Sequence, residues 1–154
     1  STRKESSAAS DVYKRQGGPR GSAVLNGTPG SWLLAGDETA IPAIRRFAAL
    51  IPAGVAARIV VETVSAGREI DIEAPVDIEW LHRGDAPSGS ALISFLDDLA
   101  VEDPIGDDPF VFIAAEQSIV KPGRALLDRW GIDSANAVVK GYWKRGEAEY
   151  HAPH

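Results

Sequence analysis

Short apolar runs recur along the chain after residue 30 and predict the strands of a sheet. Most of these runs are continuous and rich in β-branched or aromatic residues, as expected of strands that are covered on both faces. The run at 76–83 instead alternates apolar and acidic residues, which favours a position near a sheet edge. The predicted strands cover 32–35, 57–64, 76–83, 110–115 and 136–146.

Helical spacing of apolar residues fills intervals between these strands. One helix is predicted at about 40–50, with Thr39 as the N-cap because its hydroxyl can accept from an orphan amide. A second begins at about Ser90, and a third within 116–130 is expected to break at Pro122 and Gly123. The alternation of strands and helices predicts an α/β fold with a doubly wound, mainly parallel sheet.

Polar side chains lie at the carboxyl ends of three of the predicted strands. Asp37 and Thr39 follow the first strand, His82 and Arg83 end the third, and Glu116 follows the fourth. Because the carboxyl ends of parallel strands lie at one edge of the sheet, we expect these side chains to line one crevice. Open α/β sheets bind their ligands in such a crevice.

Each of these side chains also has a simpler explanation. Asp37 and Glu38 at a helix N-terminus stabilise the helix dipole with no ligand present. Arg83 at a strand end is either a solvated charge or a group that grips a phosphate through two parallel hydrogen bonds. His82 has no cysteine or histidine partner at metal-binding spacing, so we predict no metal site.

Charge and composition exclude several classes of protein. The formal net charge is −6, and without residues 1–16 the chain has 12 bases against 20 acids, which disfavours a nucleic-acid partner. The absence of cysteine excludes disulfides and thiol catalysis. No run approaches the ~18 apolar residues of a membrane span, and no signal-peptide pattern is present, so we predict no membrane partner and a cytoplasmic location.

Common catalytic and metal-binding motifs do not appear in the sequence. The connection at 97–108 holds six acids, but their spacing does not fit a calcium-binding loop, and we expect a solvated connection. The sequence has no Walker lysine loop, no Gly-x-Ser-x-Gly and no GxGxxG. A phosphotransferase or a serine hydrolase therefore has little support.

Four stretches carry a specific resemblance: GPRGS, WLLAGDETAIPAI, WLHRG and GYWKRG. Together they are similar to the C-terminal half of the siderophore-interacting proteins, the flavin-dependent ferric-siderophore reductases of the ferredoxin-reductase-like superfamily. The resemblance covers about residues 18–147. It implies a Rossmann-like domain of the ferredoxin-reductase type that binds NAD(P)H.

The same resemblance divides the chain into segments. Residues 31–147 correspond to the NAD(P)H-binding domain, and residues 17–30 look like the end of an FAD-binding β-barrel. Residues 1–16 end in DVYKRQ, which resembles the translation of a sequencing adaptor, and we expect a non-native, disordered tail there. Residues 148–154 are expected to be a frayed C-terminus. On this interpretation the intact protein is longer, and this chain alone is inactive.

The resemblance implies an enzyme that passes a hydride from NADPH or NADH to FAD. Electrons then pass to ferric iron held by a siderophore, the substrate, which releases the metal inside the cell. Because cofactors carry this chemistry, no catalytic side chain is expected. FAD would be bound through the missing N-terminal domain, so this chain alone is not expected to hold it tightly. Two alternatives stay open: a general NADPH–flavin reductase on the same fold, and a nucleotide-binding module with no redox role.

The resemblance also implies roles for particular residues at the strand ends. The turn at 36–39 would lie beside the nicotinamide and the pyrophosphate, with Thr39 and helix amides facing phosphate. His82 and Arg83 match the strand end that related reductases use for the adenosine ribose and its 2′-phosphate.

The fourth and fifth strands supply the remaining expected residues. Ala115 and Glu116 match the family's Ala-Gly-Glu turn, with Ala115 where glycine is usual, and Tyr142 and Trp143 match the aromatic end near the flavin. The complete set of expected cofactor-binding residues is Gly36, Asp37, Glu38, Thr39, His82, Arg83, Ala115, Glu116, Tyr142 and Trp143.

Overall fold

The computed structural model describes residues 28–146, which contain five strands and three α-helices. Predictions for 1–16, for most of 17–30 and for 148–154 lie outside these residues. The strands are β1 (Ser31–Asp37), β2 (Ala56–Thr63), β3 (Ile78–His82), β4 (Pro109–Glu116) and β5 (Ala137–Trp143). The helices are α1 (Ile41–Ala48), α2 (Ser90–Leu99) and α3 (Val120–Trp130), with short 3₁₀ turns at Glu38–Ala40, Ala66–Arg68, Gln117–Ile119 and Ser134–Asn136.

All neighbouring strands of the sheet run parallel, in the order β3-β2-β1-β4-β5. This is the strand order of a doubly wound nucleotide-binding sheet, and it confirms the predicted fold class. The chain reverses its direction of travel across the sheet between β1 and β4. That reversal opens a crevice at the carboxyl ends of these two strands, where sheets of this kind bind ligands.

Helices cover both faces of the sheet, so the central strands are apolar throughout. On one face Phe47 of α1 packs its ring against Phe110 and Phe112, at 5.1 Å between centroids in both cases. On the other face α2 and α3 pack on the alternate residues of β1 and β4, with Leu92, Leu126 and their neighbours fully buried. Because every residue of β1 is buried, its carboxyl end is held rigidly at the centre of the sheet.

Two helix predictions need correction. Thr39 is not the N-cap: the Asp37 carboxylate accepts from the Thr39 amide, a 3₁₀ turn follows, and α1 begins only at Ile41. The expected break at Pro122 and Gly123 is also wrong, because α3 runs through both residues. Pro122 is the third residue of α3, where its missing N–H removes no intrahelical hydrogen bond.

The alternation of strands and helices is not complete. In the described part of the chain, β2 leads to β3 through a 3₁₀ turn and an extended loop, with no α-helix between them. The loop lies beside α1, since the Arg45 guanidinium donates to the Asp71 carbonyl at 2.9 Å. β3 lies at the edge of the sheet, as its alternating pattern predicts.

None of the described helices is long and apolar enough to span a bilayer.

Gly36 lets the first turn after β1 lie directly on the sheet. A Cβ atom at this position would come within 2.5 Å of the Ala40 Cβ and 2.7 Å of the Ala114 carbonyl oxygen. Glycine is therefore required here by close packing between the turn, β1 and β4. The turn that carries Glu38 and Thr39 owes its position to that contact.

We expect Gly36→Ala to lower the free energy of unfolding by about 1–3 kcal/mol, because the added methyl group overpacks this contact. Urea denaturation of the whole chain measures the loss. Gly67→Ala is the matched control, since a Cβ there meets nothing nearer than the Ser65 hydroxyl at 3.9 Å. Equal stability of the two variants would contradict the packing role of Gly36.

Candidate functional site

Three adjacent strands of the sheet each end in a buried carboxylate. Glu62 is the next-to-last residue of β2, Asp37 is the last residue of β1 and Glu116 is the last residue of β4. Their relative exposures are 0%, 1% and 4%. Asp37 and Glu62 are direct partners in the β1–β2 register. Because a carboxylate is costly to bury without hydrogen bonds, each of these groups must be matched by donors from the surrounding loops.

Asp37 joins the end of β1 to the end of β5. Its Oδ1 accepts from the Thr39 amide at 2.9 Å and from the Thr39 hydroxyl, and its Oδ2 accepts from the Trp143 indole N–H at 2.9 Å. Burial raises the pKa of Asp37, and the hydrogen bonds from Thr39 and Trp143 offset part of that rise. Since β4 lies between β1 and β5, the Trp143 indole reaches across the end of β4 and borders the crevice.

Glu116 repeats the same arrangement at the end of β4. Its Oε1 accepts from the Ser118 amide at 2.9 Å and from the Ser118 hydroxyl, while Oε2 accepts from the Arg145 amide at 3.1 Å. Burial alone would raise the pKa of Glu116, but the bonds from Ser118 and Arg145 and the Arg145 charge outweigh it and lower the pKa. The same motif thus occurs on both sides of the crevice: an acid ends the strand, and a residue with a hydroxyl group, two positions later, donates to that acid.

Glu62 is a functional candidate that the sequence analysis missed. Its Oε1 accepts from the Gly89 amide at 2.8 Å, and its Oε2 accepts from the amides of Ala91 and Leu92 at 2.9 and 3.0 Å. The carboxylate therefore fills the N-terminus of α2, the place where a phosphate would otherwise be attracted. The only sequence signal was a single acid inside an otherwise apolar, β-branched strand.

The two expected residues at the end of β3, His82 and Arg83, have different surroundings. Arg83 lies with its Nη1 3.3 Å from Glu62 Oε1 and 3.5 Å from Glu38 Oε1, so the structure brings it to the crevice side of the sheet. His82 instead pairs through Nε2 with Glu69, in the loop after β2, and the two side chains are 40% and 32% exposed. His82 thus stands apart from the group around Arg83.

The remaining expected residues lie on the β4–β5 side. Ala115 is fully buried in the core beneath α2 and α3, so its methyl group packs inward. Tyr142 is half-buried, and burial raises the pKa of its phenol although the nearby Arg46 charge opposes this. Arg46 belongs to α1, so Tyr142 lies towards the α1 face, while its neighbour Trp143 reaches the crevice. Among residues 28–146, no three His, Asp or Glu side chains form a group that could hold a metal ion.

A family profile described as "Siderophore-interacting protein" matches residues 30–146, which is most of the chain and the whole of the sheet. The chain belongs to the siderophore-interacting protein family. This confirms the family that the four sequence stretches indicate.

Solved structures of the family share the fold described above. A siderophore utilization protein from T. fusca is 30% identical, with a TM-score of 0.69 over 79% of this chain and 48% of its own. The siderophore-interacting protein SipS of Aeromonas hydrophila is 19% identical, with a TM-score of 0.64 over 78% of this chain and 48% of its own. A siderophore-interacting protein from Acinetobacter baumannii is 21% identical, with a TM-score of 0.63 over 85% and 53%.

Curated relatives of this siderophore-interacting protein occur in mycobacteria. Uncharacterized proteins of Mycobacterium tuberculosis and Mycobacterium bovis are 29% identical to it and match 86% of this chain. The chain spans about half the length of these relatives, since the match covers 50% of each.

We expect Glu62→Gln to lower the free energy of unfolding by about 3 kcal/mol or more, because a side-chain amide has one acceptor atom where the carboxylate has two. At least one amide at the start of α2 then loses its partner, and Arg83 loses a buried counter-charge. Chemical denaturation of the whole chain at neutral pH measures the change.

Glu79→Gln is the matched control for this loss. Glu79 accepts from Arg58 in a two-pronged pair at 2.7 and 2.9 Å, but both side chains are about one-third exposed or more. Removing a partly solvated pair costs less than about 1 kcal/mol. A Glu62 variant that is no less stable than the Glu79 variant would show that Glu62 does not hold the α2 N-terminus.

Proposed function

We propose that this chain is the NAD(P)H-binding half of a flavin-dependent ferric-siderophore reductase. The observation that carries the proposal is the crevice between the carboxyl ends of β1 and β4, in a parallel sheet with the doubly wound strand order. Family membership supports siderophore-bound ferric iron as the substrate of the intact enzyme, and the T. fusca relative is described as a siderophore utilization protein. We place the reaction in the cytoplasm, where nicotinamide dinucleotides are available.

The residues at the crevice fit an anionic dinucleotide. Thr39 and Ser118 lie exposed on its two sides, each on a turn that a buried carboxylate holds in place. Asp37 caps the 3₁₀ turn Glu38–Ala40 through the Thr39 amide, but α1 itself has no side-chain cap at Ala40. The donors that would face a pyrophosphate are therefore the backbone amides of the first turn of α1, apart from Pro42, which has none. The N-terminus of α2 is already filled by Glu62, which leaves the turn after β1 as the better phosphate site.

Guanidinium groups flank the crevice at both ends. Arg83 lies on the β3 side, and Arg145 lies on the β5 side, with 56% of its side chain exposed. A dinucleotide that crosses the edge of the sheet has its adenosine towards β2 and its nicotinamide towards β4 and β5. The Arg145 guanidinium would then attract the ligand from the nicotinamide end, while the Arg145 backbone amide donates to Glu116 and anchors the end of β5.

The chain's own part in the reaction is to bind and position. Asp37 and Glu116 fix the two turns that border the crevice, and the bond between Asp37 and Trp143 sets the indole beside the place expected for the nicotinamide ring. When bound, the dinucleotide would supply the hydride that reduces a flavin held by the rest of the intact enzyme, and the reduced flavin would be the source of the electrons for the ferric siderophore. On this proposal the side chains of the crevice hold the ring in position and exclude water from it.

We expect the whole chain to bind a nicotinamide dinucleotide at the carboxyl edge of the sheet. Calorimetry measures the affinity, and NMR amide spectra locate the ligand: resonances of Gly36, Thr39 and Ser118 should shift on titration. Gly106 is the internal control, because it packs beside Ser31 at the opposite edge and should not shift.

Binding of ATP as tight as that of NADH or NADPH, with the same shifts, would favour a general nucleotide-binding module instead. Shifts confined to residues outside the crevice, or no heat of binding with either dinucleotide, would contradict the proposed function.

A further inference from the structure

One guanidinium nitrogen lies between two carboxylates at the end of β2. Arg83 Nη1 is 3.3 Å from Glu62 Oε1 and 3.5 Å from Glu38 Oε1. The side chain of Arg83 is only 13% exposed and that of Glu62 is fully buried, whereas that of Glu38 is 37% exposed. Glu38 is therefore the member of this cluster that a ligand meets first.

The position of the cluster bears on whether the site prefers NADH or NADPH. Glu38 comes from the turn after β1, Arg83 follows β3, and they meet over the end of β2, which lies between those strands. In doubly wound sheets the end of the second strand contacts the adenosine ribose: an acid there accepts from the 2′-hydroxyl, and a nearby arginine accommodates a 2′-phosphate. NADH and NADPH differ only at the 2′ position of the adenosine ribose, which carries a hydroxyl in NADH and a phosphate in NADPH.

Glu62 holds the strand-end position but is not available to a ribose. Its two oxygens accept from three backbone amides and from Arg83, and no part of the side chain reaches solvent. Glu38 lies over the same strand end and is partly exposed. It is thus the carboxylate that can accept a hydrogen bond from a ribose hydroxyl.

The charge of the cluster disfavours a second phosphate. Arg83 faces two carboxylates, and a 2′-phosphate carries a charge of roughly −1.5 to −2 at neutral pH. A 2′-phosphate would compete with Glu38 for the accessible side of Arg83, and the Glu38 carboxylate would repel the phosphate. A neutral 2′-hydroxyl meets no such penalty.

We propose that Glu38 makes this site prefer NADH to NADPH, an inference that rests on the proposed function. The Glu38 carboxylate pairs with the Arg83 guanidinium and offers an acceptor to the ribose 2′-hydroxyl. Arg83 is then a positioning residue that holds Glu38 over the end of β2. This differs from the expectation that Arg83 itself grips a 2′-phosphate.

The test measures the affinities of the whole chain for NADH and NADPH by calorimetry at low ionic strength. Adenosine 5′-monophosphate and adenosine 2′,5′-bisphosphate serve as probes of the adenosine end alone. The wild-type chain should bind NADH at least about fivefold more tightly than NADPH, and Glu38→Gln should shift the ratio towards NADPH by roughly tenfold. The pair of adenosine probes should show a shift in the same direction.

Glu73→Gln is the matched control, because Glu73 is an exposed acid in the loop beside α1 and its loss changes the net charge by the same amount. This variant should leave the NADH-to-NADPH ratio unchanged. Thermal denaturation of both variants checks that each is folded, and the wild-type ratio tests the inference even if Glu38→Gln is not.

The outcomes separate the inference from the function beneath it. Tighter binding of NADPH than of NADH by the wild-type chain overturns the inference and leaves the proposed function standing. An equal shift of the ratio in the Glu38 and Glu73 variants also overturns it, because net charge alone would then explain the effect. Binding of neither dinucleotide overturns both.

Discussion

Buried carboxylates at the ends of parallel strands determine the shape of the candidate site. Glu62, Asp37 and Glu116 lie at the ends of three neighbouring strands, and backbone amides from nearby turns and from the start of α2 donate to them. A buried carboxylate without donors is costly, so folding the sheet also fixes the loops that supply those donors. The crevice between β1 and β4 is therefore bordered on both sides by turns that hydrogen bonds to buried carboxylates hold in place.

The same carboxylates decide which parts of the edge can receive an anion. Glu62 closes the N-terminus of α2, and with Glu38 it occupies the guanidinium of Arg83. At the turn after β1, Asp37 accepts from the Thr39 amide, while α1 has no side-chain cap of its own at Ala40. On the proposed function, the free amides at the start of α1 and the charge of Arg145 would supply the attraction for a phosphate in this acidic chain.

Strand and helix order could be predicted from the sequence because hydrophobic periodicity reports burial directly. The position of Asp37, Thr39 and Glu116 at one edge of the sheet could also be predicted, because the carboxyl ends of parallel strands lie at the same edge. The role of Glu62 could not be predicted from the sequence. A single acid in a mainly apolar strand gives the same pattern whether its carboxylate accepts from a helix N-terminus or is solvated. Nor could the sequence assign the cap between Asp37 and Thr39, since either side chain can accept from an orphan amide and only the backbone geometry decides. The separation of His82 from Arg83 depends on Glu69, which lies 13 residues away in a loop with no periodic pattern.

A crystal structure of this chain grown with NADH tests the central claim most directly. We expect a dinucleotide across the carboxyl edge of the sheet, with its pyrophosphate at the turn Glu38–Ala40 and its nicotinamide beside Trp143. The three buried carboxylates should keep the hydrogen bonds they make without ligand. A dinucleotide at the N-terminus of α2 with Glu62 displaced, or one bound against α1 and the loop before β3, would contradict this placement.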